Sequence, residues 1–396
     1  MKIWDYASEN NCWVEYSYGC YTILISNNSF IDFTTLRSIA LFYLPFIDQG
    51  FGHMFIENNL LKNISRLPCL QEAHIFYFGL KVFPIMIKNV IHDSVACAAV
   101  ALTQIRATLE GNIFHEYYGD AVLSLDDSLD KGTGAIVSLA GNMVTSSQLQ
   151  TSMFALSGPS SDGIKIENNT IAISTILRSR NKHVTKQPMN AILIELYDQK
   201  GAQYVNLTNT LFVSVTVSTY LPLDQYFAPP TDSFIKLDIT GRMHVRMRGL
   251  NMTSLYSNSS RSPMILINAP DIRIQNLYYS KSNVLKPISS VFSFSAINLT
   301  IMDSDIRIYG FSSENNRIFP QIFLLNNIVG SAKQLTQVTI TNMTASFQGQ
   351  SVLGTETTFF DISSEDLQLS ISDSVYDLPL SSIFSVHSTG DRKSVV

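Results

Sequence analysis

Asp126, Asp127 and Asp130, in the stretch SLDDSLDKGTG, are the densest set of oxygen donors in the chain. Asp126-x-Ser128-x-Asp130 places donors at alternate positions, as a calcium loop requires. Two features oppose a calcium site. Lys131 stands where the helix–loop–helix calcium motif needs glycine, and the closing glutamate is missing. Asp126, Asp127 and Asp130 are therefore the metal candidates, with a solvated acidic loop (residues 116–130, including Glu116 and Asp120) as the simpler reading. His53, His74, His92 and His115 form a second series of donors. Counted from the strand breaks described below, His53 precedes its break by five residues, His92 follows by three and His115 by four. On this count they do not share a face, and no stacked metal strip is expected. Cys12, Cys20, Cys69 and Cys97 show neither C-x-x-C spacing nor a histidine at zinc-ligand distance. Cys97, in VACAAVAL, reads as a buried apolar residue, and Cys12 and Cys20 could pair across a short loop in an oxidising compartment. No Ser-His-Asp order, phosphate loop or dinucleotide fingerprint is present, and no cofactor is implied.

The elements that carry these residues follow from a repeat. Ile166-Glu167-Asn168 breaks an apolar alternation, and the alternation resumes at Ile171. The same pattern recurs at Asn27, Asn58, Asn89, Gly111, Gly141, Asn209, Gly249, Asn276, Asp303, Asn342 and Asp373. Asn, Asp and Gly share one physical property: they enter the left-handed backbone region at low cost. A left-handed residue after each period-2 stretch means a sharp corner between two strands that re-enter one core. The spacing of 22 to 41 residues marks a solenoid with insertions on its loops. RSRNKHVTKQP and YLPLDQYFAPPTD, within segments 176–203 and 217–240, read as long lateral loops.

This pattern resembles the right-handed parallel β-helix of the pectin-lyase-like fold, over roughly residues 20–380. The fold class expected is all-β, a right-handed parallel β-helix of about twelve coils, one per break. Residues 1–20 are expected to be an irregular N-terminal segment, 21–380 one β-helix domain, and 381–396 a tail. The resemblance also implies a structural ladder in which side chains stack inward at one corner: Asn27, Asn58, Asn89, Asn168, Asn209, Asn276, Asp303, Asn342 and Asp373.

Charged residues make up 15% of the chain and the net charge is −5, which argues against nucleic acid and against a polybasic membrane patch. The apolar run 39–47 is too short to span a bilayer, so no membrane span is expected within this sequence. DRKSVV, residues 391–396, matches a common sequencing adapter translated in frame, so the sequence is expected to be a piece of a longer chain. Enzymes of the resembling fold that cleave polygalacturonate carry N-T-D, D-D, G-H-G and R-I-K. Here only Asp126-Asp127 and the fragment Gly52-His53 are found. At the outward positions next to the breaks, including Glu57, Lys88, Glu110, Glu167 and Arg248, no acid–base pair assembles. The expectation is a non-enzymatic scaffold, an extracellular or cell-surface stalk or platform for a glycan or a surface protein, like the β-helix regions of large protist surface proteins. The alternative is a diverged polysaccharide lyase or glycoside hydrolase.

Overall fold

The computed structural model describes residues 2–5, 20–35, 40–46, 51–66, 73–80, 82–103, 107–126, 136–158, 163–177, 190–197, 204–218, 233–240, 244–257, 263–280, 283–284, 290–309, 321–326, 335–348, 358–364, 367–377, 382–387 and 394–395. Residues 163–197 show how one coil is built. In Gly163–Glu167, Ile164 and Ile166 are fully buried while Lys165 and Glu167 face outward. Asn168 turns the first corner at φ 54°. Thr170–Ala172 buries Ile171, Ile173 turns the second corner at φ 48°, and Thr175–Leu177 buries Ile176. Asn190–Tyr197 closes the coil.

Each strand pairs in parallel with its counterpart one coil away. Gly163–Glu167 sits between Ile136–Ala140 and Tyr204–Thr208, with Ile166 level with Leu139 and Leu207. Thr170–Ala172 and Asn190–Tyr197 are flanked in the same way. The chain is thus a right-handed parallel β-helix, as the repeat implies, and among the described residues it is built of strands without helices. No helix there is long and apolar enough to cross a membrane. Like side chains stack along the axis. Phe292, Phe323, Phe360 and Phe384 form a column with centroids 4.6 to 5.1 Å apart. Burying one such side chain contributes about 2 kcal/mol, so the columns supply most of the cohesion.

The corners correct the expected ladder. The left-handed residues are Asn27, Asn58, Asn168, Asn209, Asn276, Asp303, Asn342 and Asp373, as the breaks predict, but in the third coil the residue is Lys88, not Asn89. A left-handed residue turns its side chain out of the corner, so those Asn and Asp side chains are exposed. The inward residue is the next one. Asn28, Asn59, Asn89, Asn112, Asn142 and Asn169 form the buried column, each Nδ2 donating to the next Oδ1 at 2.9 to 3.1 Å. Of the nine residues expected in the ladder, Asn89 alone belongs to this column. The outer residues make local pairs instead: Asn209 Nδ2 donates to Asn168 Oδ1 at 3.2 Å, and Asn342 Nδ2 to Asp303 Oδ1 at 2.9 Å. Beyond Asn169 the inward positions become Thr210, Leu250, Leu277, Ser304 and Met343, all buried.

The ends carry strands outside residues 21–380. Lys2–Asp5 pairs antiparallel with Cys20–Ser26, covering an edge that would otherwise expose unpaired backbone groups. Ser382–His387 pairs with Thr358–Ser363, and Ser394–Val395 with Gln368–Ser372. Cys97 is buried and free, as its apolar context suggests. Cys12 and Cys69 lie outside the described residues.

Candidate functional site

The first strands of three successive coils, Tyr204–Thr208, His244–Arg248 and Asp271–Gln275, carry a gathering of polar side chains on the surface. Alternation explains it. Val245, Met247, Ile272 and Ile274 point into the core, so His244, Arg246, Arg248, Asp271, Arg273 and Gln275 must point out. Register then sets the neighbours: His244 lies level with Asp271, Arg246 with Arg273, and Asn206 with Arg246 on the other side. Lys165 continues the row beyond Asn206.

His244 Nδ1 is 2.9 Å from Asp271 Oδ2, and Arg273 Nε is 3.3 Å from the same oxygen. Asp271 is 13% exposed, whereas His244 and Arg273 are 44% and 55% exposed. A shielded carboxylate that accepts from Nδ1 fixes the imidazole tautomer and leaves Nε2 as a base facing solvent. Arg246 and Arg273 stand directly opposite one another on adjacent strands, an arrangement that like charges disfavour. Among the described residues neither Arg246 nor Arg248 has a carboxylate partner. The face thus combines an oriented base with guanidinium groups free to grip an anion, in planar two-pronged geometry.

A second cluster lies at the second corner of the third and fourth coils. His92 and His115 are paired in register, with ring centroids 4.8 Å apart, which corrects the expectation that they occupy different faces. The error was one residue: the third break is Lys88, so both histidines follow their breaks by four. Asp93 and Glu116 turn the corner beside them. A hydrogen bond with Glu116, helped by the neighbouring His92 and Lys62, holds the Asp93 carboxyl below the ordinary carboxylate range.

The other predicted residues are dispersed. His53 packs 5.6 Å from Phe83 on the first-strand face, and His74 stacks 5.9 Å from Tyr77 on the closing strands. Asp126 ends the strand Ile113–Asp126, level with Ser157, while Asp127 and Asp130 lie outside the described residues. His244 and Asp271 lie outside the outward row next to the breaks, where the sequence shows no acid–base pair. These two residues stand four positions earlier on the same alternation.

No family model matches the sequence, and no curated protein matches it. The structure is similar to the catalytic unit of a thermostable GH87 alpha-1,3-glucanase from Streptomyces thermodiastaticus, at 10% identity and a TM-score of 0.30, covering 90% of this chain and 62% of that one. The chain thus spans less than two thirds of the glucanase unit's length. The expectation of a non-enzymatic chain is corrected on this chain's own geometry: the first-strand face carries an oriented base beside cations.

Proposed function

We propose that the chain is a polysaccharide lyase that cleaves a uronate-containing glycan by β-elimination at the His244 face. One observation carries the reading: His244, held through Nδ1 by Asp271, stands beside Arg246 and Arg273, which register places opposite each other. The arginines would receive the uronate carboxylate, and neutralising it makes the adjacent C–H acidic. His244 Nε2 takes that proton, a C=C bond forms, and the glycosidic C–O bond breaks, its oxygen taking a proton from solvent. Hydrolysis needs two carboxyls free to act as acid and base or nucleophile. Asp271 is already committed to His244 and Arg273, which favours elimination. An extracellular or cell-surface location belongs to the same proposal, since that is where such glycans lie.

The test is release of unsaturated ends from polygalacturonate, alginate and chondroitin, with calcium present. Wild-type chain should produce ultraviolet-absorbing ends on at least one of them. His244→Ala should lower the rate by about 100-fold or more, the usual contribution of a positioned base. Arg273→Ala should raise KM and lower kcat together. Saturated reducing ends would indicate a hydrolase, and no release by folded wild-type chain would overturn the reading.

A further inference from the structure

We propose that His92, His115 and Glu116 form a binding site for one divalent transition ion of the zinc type. The site lies at the second corner, on a different strand stack from His244, and does not depend on the elimination reading. Register creates it: His92 and His115 face outward at the same level of adjacent strands, and Glu116 follows His115 directly. Lys62 and Thr145 flank the two imidazoles on the neighbouring coils, which limits the row to two ring donors.

One ligand atom from each of the three residues fits within 4.8 Å of the others. Two ligands of a tetrahedral ion with bonds near 2.05 Å sit about 3.4 Å apart. His115 Nε2 is 3.7 Å from Glu116 Oε1, too long for a hydrogen bond and close to that separation. The other nitrogen of His115, Nδ1, lies 2.9 Å from Thr145 Oγ1, the outer contact that orients a metal-binding imidazole and leaves Nε2 for the ion. His92 Nδ1 is 2.8 Å from Asp93 Oδ2. Asp93 is placed to serve as a fourth ligand or as the partner that orients His92.

Glu116 supplies an independent sign. It occupies the left-handed corner at φ 50°, a conformation that Asn, Asp or Gly adopts more readily. A glutamate stands there against backbone preference, directly beside two imidazoles. The donor set is two nitrogens and a carboxylate oxygen, which suits zinc, nickel, cobalt or copper and not the all-oxygen preference of calcium or magnesium. The side chains are 31 to 43% exposed, so water and ion have access.

Calorimetric titration of the metal-stripped full chain with Zn²⁺, Ni²⁺, Ca²⁺ and Mg²⁺ tests the site. Saturable Zn²⁺ binding is expected that is lost in His92→Ala and in His115→Ala, with circular dichroism verifying the fold of each. Thr145→Val should keep the stoichiometry and weaken affinity by about tenfold, as loss of an outer contact does. Zn²⁺ binding unchanged in both histidine variants would overturn the assignment, because the ion would then sit elsewhere. Binding of Ca²⁺ in preference to Zn²⁺, or no saturable Zn²⁺ binding, would overturn it as well.

Discussion

Replacing Asn112 by Ala should cost about 4 kcal/mol, far more than the same change at an outer corner. Asn112 is fully buried. Its Nδ2 donates to Met86 O at 2.9 Å and to Asn142 Oδ1 at 3.0 Å. Its Oδ1 accepts from the backbone N–H of Asn89 at 3.0 Å and from Asn89 Nδ2 at 2.9 Å. In Asn112→Ala, Asn89 Nδ2 keeps Ile56 O and Asn142 Oδ1 keeps the Asn112 backbone N–H. The Asn89 N–H and the Met86 carbonyl lose this partner in the dry corner. Each such loss costs about 1–3 kcal/mol, and a small cavity adds to the sum. Asn28→Ala, at the part-buried start of the column, should cost about 1 kcal/mol because water can replace what is lost. Asn168→Ala should also cost about 1 kcal/mol, chiefly because Ala fits φ 54° poorly; the lost bond from Asn209 is exposed and water replaces it. Equilibrium unfolding in urea, followed by far-ultraviolet circular dichroism, gives all three values from shifts in midpoint. A loss at Asn112 no larger than at Asn28 would refute the column as a structural determinant.

Three further outcomes follow from the geometry. Ile173 is a β-branched residue at φ 48° and 69% exposed, so Ile173→Asn should stabilise the chain by about 1 kcal/mol in the same urea assay. At Gly119 an added Cβ would lie 1.9 Å from the backbone oxygen of Ala96, so Gly119→Ala should fail to give soluble, folded protein, as size-exclusion chromatography would reveal. Asn342 and then Gln275 donate to Asp303 and hold its carboxyl below the ordinary 3.8. A depressed carboxylate contributes stability above pH 3.8 that is lost as pH falls through its lower folded value. Carbon-detected NMR titration should place Asp303 below 3.8, and Asn342→Ala should raise it.

The first corner was legible in the sequence because its backbone conformation has a chemical signature. Asn27, Asn58, Asn168 and Asn276 each announce a left-handed site, and Gly111, Gly141 and Gly249 do so through their missing side chain. Lys88 breaks that rule, and the asparagine that follows it, Asn89, is the inward residue of the corner. Placing the break at Asn89, one residue late, hides the shared register of His92 and His115 and merges the left-handed position with the inward one. The second corner was not legible. Asp32, Asn63, Asp93, Glu116, Ser146, Ile173, Ser214 and Ser254 all adopt the left-handed conformation there, and residues so unlike each other form no motif. The His244–Asp271 contact was hidden for another reason. It joins residues 27 positions apart, and only the coil length, set by where the corners fall, brings them level.

The buried asparagine column has a direction, and that direction runs from the N-terminal coils towards the C-terminal ones. From Asn28 to Asn142, each coil offers two donors, a side-chain Nδ2 and a backbone N–H, to a single oxygen on the coil that follows. In the folded chain each of these coils therefore presents a two-pronged receptor to an oxygen that lies later in the sequence. The next asparagine seats its Oδ1 in that receptor, and its own Nδ2 reaches back to a carbonyl of the preceding coil, as Asn89 does to Ile56 and Asn112 to Met86. The column thus fixes register once per coil, because a slipped strand would present a backbone turn with no oxygen for the pair of donors. Past Asn169, where Thr210, Leu250 and Leu277 take the inward place, the amide column stops, and register rests on apolar packing together with scattered polar pairs such as Leu277 N–H to Ser304 Oγ and Asn342 to Asp303.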